Sequence, residues 1–140
     1  MQIKNIMTTN VATVQPDDPV SKAANIMKKK NVGAVPVCQG NKPVGIITDR
    51  DLSIRALADG KDQQTPVKNI MSTDLVAASP DMSTSEAARL MAQNQVRRLP
   101  VNENNNLQGI VSLGDLAVEA KSDTEVARAL SSISYPARPE

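Results

Sequence analysis

Two short stretches of the chain carry residue types able to hold a small polar molecule. They are Thr48-Asp49-Arg50-Asp51 and Ser112-Leu113-Gly114-Asp115, each a hydroxyl followed three positions later by a carboxylate. Each follows an apolar run, Val44-Gly45-Ile46-Ile47 or Gly109-Ile110-Val111, and precedes a Leu–Ala pair at i, i+4, Leu52 with Ala56 or Leu116 with Ala120. A strand giving way to a helix is the element order that pattern predicts. At such a junction the hydroxyl and the carboxylate can close a capping box. The same junction also suits a ligand. A helix start presents unpaired N–H groups and the positive end of its dipole, which fit a phosphate. A carboxylate one turn in can accept both hydroxyls of a diol, and bonds to a charged group are the stronger kind.

Other chemistries lack their residues. The 140-residue chain has no His, Trp or Phe, one Cys (Cys38) and one Tyr (Tyr135). That excludes a zinc site of the Cys/His type, an internal disulfide, and nucleophilic catalysis through a His base. Asp17/Asp18 and Asp49/Asp51 have the spacing of acid–base pairs, but each sits at a helix start with no metal-ligand cluster, Lys nucleophile or phosphate loop beside it. No enzyme is expected. Sixteen basic against fifteen acidic side chains leave a net charge of +1. With no stacking aromatics, nucleic acid is not an expected partner. No apolar run approaches the roughly 20 residues of a membrane span, and Met1-Gln2-Ile3-Lys4-Asn5 lacks a secretory leader's pattern. A lone Cys then points to the cytoplasm.

The chain repeats itself. A shift of 64 positions lays Lys4-Asn5-Ile6-Met7 on Lys68-Asn69-Ile70-Met71, Pro16-Asp17 on Pro80-Asp81, and Ala23-Ala24 with Met27 on Ala87-Ala88 with Met91. It also lays Pro36-Val37 on Pro100-Val101, Gly45-Ile46 on Gly109-Ile110 and Asp51-Leu52 on Asp115-Leu116. The expected division is residues 1–62, residues 63–122, and a tail over 123–140 that starts helical and frays.

Each copy reads β-α-β-β-α. Val11-Ala12-Thr13-Val14 and Leu75-Val76-Ala77-Ala78 are short extended runs. Val20, Ala23, Ala24 and Met27 fall on one helical face, as do Ala87, Ala88, Leu90 and Met91 in the second copy. Hairpins follow, turning at Gln39-Gly40-Asn41-Lys42 and Glu103-Asn104-Asn105-Asn106. Pro36 and Pro100 cannot donate to a ladder and belong on an edge or at a strand start. Gly60 stands where a helix stops. Neither copy, at under about 60 residues, is expected to hold a stable core alone.

Val32-Gly33-Ala34-Val35-Pro36-Val37 with Gly45-Ile46-Ile47-Thr48-Asp49-Arg50-Asp51-Leu52, and Val96-Arg97-Arg98-Leu99-Pro100-Val101 with Gly109-Ile110-Val111-Ser112-Leu113-Gly114-Asp115-Leu116, resemble the CBS domain family in its tandem-pair form, the Bateman module. The resemblance is closest to small stand-alone bacterial CBS-pair proteins and covers nearly the whole chain except the tail. It implies an α/β fold of two repeats related by pseudo-two-fold symmetry, with two clefts between them. It implies regulatory binding of adenosine-containing ligands: AMP, ADP, ATP, S-adenosylmethionine or NADH. It implies a homodimer acting on an effector protein. By resemblance one cleft joins Ser112 and Asp115 to an adenine wall of Ala12, Val32, Ala34 and Pro36, with Arg97 and Arg98 meeting phosphates. The other joins Thr48, Arg50 and Asp51 to Val76, Val96 and Pro100. The Arg pair predicts unequal sites, the Ser112/Asp115 cleft favouring the more highly charged nucleotide. A scaffold or dimerisation module with vestigial clefts is the alternative.

Overall fold

A computed structural model describes residues 1–119 and 124–134. These form two compact units. The first unit gathers Asn10–Leu75 with Asn105–Leu107. The second gathers Met1–Thr9, Val76–Asn104 and the described residues from Gln108 onward. Among the described residues no helix is long and apolar enough to cross a membrane.

In the first unit, helix α1 (Val20–Lys30) leads to strands β1 (Ala34–Gln39) and β2 (Lys42–Thr48), and β2 runs into helix α2 (Asp49–Asp51). The chain then continues as a wider π-helical stretch, Leu52–Leu57, instead of the plain second helix the sequence predicts. Gly60, at φ +70°, closes it. Its N–H donates to the Leu57 carbonyl at 3.1 Å, and the Lys61 N–H to that of Ala56 at 2.9 Å. This double bond pattern is a Schellman stop. On α1, Val20, Ala23 and Met27 are buried, but Ala24 is exposed, against the face predicted for it.

β1 and β2 pair antiparallel from Ala34–Thr48 to Gln39–Lys42, with one irregularity after Val37. The predicted extended run before α1 narrows to a single paired residue, Val14 beside Val37. Val14 N–H donates to the Pro36 carbonyl at 3.2 Å, and its carbonyl accepts from Cys38 N–H at 2.9 Å. Within a strand, a residue's N–H and C=O point the same way. The donor that Pro36 lacks therefore belongs to this outer edge, and the β1–β2 ladder loses nothing. On the far edge Ser72 and Ile46 exchange backbone bonds of 2.9 and 3.1 Å. A Cβ on Gly45 would stand 2.8 Å from both the Ser72 carbonyl and Met71 Sδ, so only Gly permits this approach. Val14, Val35, Val37, Ile47, Val67 and Ile70 form the core.

The second unit repeats the plan with helix α3 (Thr84–Asn94), strands β3 (Arg98–Glu103) and β4 (Asn106–Ser112), and helix α4 (Leu113–Glu119). Ser83 Oγ caps α3 by accepting from Glu86 N–H at 3.1 Å. Gln95 ends it in the left-handed region at φ 51°. Asn104 and Asn105, at φ 53° and 63°, supply the two left-handed residues of a tight hairpin turn. Ala78 pairs with Val101 as Val14 does with Val37. Thr8 bridges Ile110 through bonds of 2.9 and 3.0 Å, and Ile3 is fully buried in this unit's core. The two Lys-Asn-Ile-Met segments are thus exchanged. Each lies on the hairpin of the other copy.

Helix α5 (Thr124–Ser134) packs on α3 and α4 with Ala129 fully buried. It explains why Ala88 is buried and its counterpart Ala24 is not: within the first unit α1 has no such covering helix among the described residues. The fraying expected at the end of the tail falls on residues 135–140, outside the described residues. So does Ala120, the predicted partner of Leu116.

Candidate functional site

Both hydroxyl–carboxylate motifs fold as full capping boxes. Asp51 N–H donates to Thr48 Oγ1 at 3.1 Å, and Thr48 N–H donates to Asp51 Oδ2 at 3.0 Å. In the second unit the same two bonds join Ser112 and Asp115, at 3.1 and 2.9 Å. Each box engages Oδ2 of its carboxylate and leaves Oδ1 outside the box. Asp51 Oδ1 also faces Arg55 Nε at 3.9 Å. Arg55 in turn donates to the carbonyls of Ile70 and Met71 at 3.3 and 3.4 Å. Its counterpart 64 positions on is Glu119, so the two carboxylates sit in different fields.

A backbone bond sets the strand entrance beside each motif. Asp49 N–H donates to the Gly33 carbonyl at 2.9 Å, and Leu113 N–H to the Arg97 carbonyl at 2.8 Å. In the first unit the Asp49 carboxylate fills the space against Gly33, where an added Cβ would meet Asp49 Oδ2 at 3.0 Å. In the second unit the equivalent positions hold Arg97 and Leu113. There the structure opens a cavity of about 370 Å³, lined by Arg97, Arg98, Ser112, Leu113, Gly114, Ala117 and Leu130.

That cavity brings together three of the residues singled out from sequence: Arg97, Arg98 and Ser112. Both arginines are exposed. Asp115 caps α4 from the same junction. Leu113, Gly114, Ala117 and Leu130 were not foreseen. The small Gly114 and Ala117, three apart on α4, were the available signal. Leu130 lies in what reads as a tail. Arg50 is exposed on the first unit, its N–H donating to Asp49 Oδ1 at 2.8 Å. Of the predicted wall residues, Ala34, Pro36 and Pro100 are buried, Ala12, Val76 and Val96 are half-buried, and Val32 is exposed. Among the described residues no group of three or more acidic, Cys or His side chains could hold a metal ion.

A mixed fold of two matched hairpin-and-helix repeats with hydroxyl–carboxylate helix starts defines a class. The CBS domain family model matches the chain twice, over residues 3–56 and 67–122, and the chain belongs to that family. It is 50% identical over 133 residues to the CBS domain-containing protein YhcV of Bacillus subtilis, covering 95% of both chains. It is 39% identical over 118 residues to inosine-5'-monophosphate dehydrogenase of Methanocaldococcus jannaschii, covering 83% of this chain and 23% of that enzyme. The crystal structure of Hypoxic Response Protein I with two coordinated zinc ions matches with a TM-score of 0.78 at 31% identity, covering 84% of this chain and 98% of that one. The zinc ions are that protein's. CBS-domain pairs are generally regulatory and ligand-binding, and those of this kind are typically non-catalytic.

Proposed function

We propose that the chain is a cytoplasmic regulatory module that senses adenosine-containing ligands at the hydroxyl–carboxylate helix starts of its two repeats. The observation that carries this is the Ser112 cavity, where Arg97, Arg98 and a hydroxyl at a helix start share one space of about 370 Å³. That is the low end of small-ligand pockets. Two guanidinium groups clamp phosphate oxygens, and the free oxygen of Asp115 takes a ribose hydroxyl. Adenine lies against Leu113 and Ala117 of the same cavity. In a second cleft, on the first unit, Thr48, Arg50 and Asp51 take the corresponding roles. With Gly33 and the Asp49 carboxylate where the other site has Arg97 and Leu113, this second cleft prefers the less charged ligand. The module dimerises through exposed apolar residues on its helices, Ile54, Leu57 and Val118, and passes ligand state to an effector protein.

The test is a thermal-shift screen with AMP, ADP, ATP, S-adenosylmethionine and NADH. A ligand at 100 times its Kd stabilises the folded state by about 2.7 kcal/mol, several degrees for a chain of this size. Asp115→Ala removes the shift for the ligand of the Ser112 cleft, and Arg98→Ala reduces it most for ATP. Because Asp115→Ala also loses a cap worth about 1 kcal/mol, the comparison is made with and without ligand in each variant. No shift with any of the five ligands would leave the repeats as a scaffold, with both motifs serving only as caps.

A further inference from the structure

One wall of the Ser112 cavity comes from outside the repeats. Leu130 of α5 lines it, together with Leu113, Gly114 and Ala117 of α4. Leu130 is 54% exposed, although its neighbour Ala129 is fully buried and Ile133, one turn on, packs against the core. The helix is therefore docked through Ala129 and Ile133. That leaves a large apolar side chain half in water beside two arginines. Apolar walls with a few convergent polar anchors are the usual make-up of a small-ligand site.

We propose that α5 completes this binding site: Leu130 contacts the apolar part of the ligand whose anionic part is held by Arg97, Arg98 and Ser112, and occupancy fixes α5 on α3 and α4. The proposal rests on the nucleotide reading above. α5 is held by the fully buried Ala129, by Ile133 packed on the core, and by Gln95 Nε2, which donates to the Ser132 carbonyl at 3.4 Å. An isolated helix of eleven residues is marginal in water, so α5 owes its order to docking. A ligand that touches α5 binds the docked state alone and shifts that equilibrium by mass action. The first unit offers no equivalent. The 64-residue shift lays its linker, Gln63-Gln64-Thr65-Pro66, on the middle of α5, and that linker is not helical. The Ser112 site is thus the one whose occupancy is written onto a separate helix among the described residues.

The experiment is hydrogen exchange by mass spectrometry on the intact protein, with and without AMP and ATP, paired with calorimetric titration of Leu130→Ala and Leu130→Met. At 100 times Kd, ATP slows exchange of the α5 amides by up to about a hundredfold. Leu130→Ala weakens ATP binding roughly four- to tenfold, the worth of burying half a leucine side chain, and Leu130→Met restores it. Wild-type ATP affinity in Leu130→Ala, or α5 exchange unchanged by bound ATP, overturns the assignment and leaves the nucleotide reading intact. Failure of AMP, ADP, ATP, S-adenosylmethionine and NADH alike to bind the wild-type protein overturns both.

Discussion

Replacing Gly109 by Ala tests how the amino-terminal segment is held. An added Cβ would lie 2.6 Å from the Thr8 carbonyl oxygen, 3.0 Å from Met7 Sδ and 3.2 Å from Met7 Cγ. Met7 can swing its thioether aside. The Thr8 carbonyl is backbone and cannot. To restore ordinary contact it must withdraw by several tenths of an ångström, which spoils the two bonds that Thr8 and Ile110 exchange at 2.9 and 3.0 Å. Two backbone bonds are worth about 1–3 kcal/mol together, and lost packing of Met7 adds to that. The smaller unfolded-chain entropy of Ala returns about 0.4–1 kcal/mol. The net expectation is about 2 kcal/mol of destabilisation, or roughly 1 M off the urea midpoint. Gly40→Ala is the control, because its φ of +65° strains the backbone while nothing lies within 4 Å of its Cβ. Both variants lose stability, but only Gly109→Ala speeds hydrogen exchange at Thr8 and Ile110. A midpoint within about 0.3 M of wild type, with both amides still protected, would refute the steric argument.

Three further outcomes are expected. Asn31→Gly, at the left-handed stop of α1 with φ 55°, raises stability by about 0.5 kcal/mol in urea denaturation, since Gly adopts that region without the Cβ penalty. The Asp18 carboxyl is held below its ordinary pKa by the Gln15 N–H, against some desolvation and with help from Lys22. A depressed pKa gives stability that is present above about pH 4 and lost as pH falls through the folded value. Asp18→Asn therefore costs up to about 1 kcal/mol at pH 7 and converges on wild type in acid melts. Burial pushes the Cys38 thiol up, so the unfolded chain ionises first and stability falls as pH rises past about 8.5. Cys38→Ala flattens that alkaline slope, and in the native protein the thiol reacts with a disulfide reagent only through opening of the first unit.

The repeat, its hairpins and its caps were legible because each leaves a local mark. Pro36 and Pro100 marked outer edges, Gly60 marked a helix stop, and Thr48 with Asp51 marked a helix start. The exchange of the Lys-Asn-Ile-Met segments was not legible. Thr8 and Ser72 reach β4 and β2 through backbone atoms, which carry no residue identity. The trace they left, Gly45 and Gly109, reads equally well as plain strand glycine. Ala24 and Ala88 are identical in sequence and differ in burial because α5 covers only one of them. At the candidate cavity, Arg97 and Arg98 stand out in the sequence through the family resemblance and Ser112 through its motif. Leu130 does not, since Ser131, Ser132 and Ser134 around it weaken the helical pattern of α5. The π-helical stretch at Leu52–Leu57 leaves no compositional mark and was read as an ordinary helix.

The exchanged segments also set an order in time. Ser72 pairs with Ile46, 26 positions earlier, whereas Thr8 waits for Ile110, 102 positions later. The longer closure costs about 1.2 kcal/mol more chain entropy. On the ribosome, the first unit holds nearly all of its parts once Leu75 has emerged. Met1–Thr9, made before the first unit, has no strand to join until β4 is out. A segment made ahead of the first unit is thus placed after it, and Ile3, fully buried in the fold, stays in water through that interval.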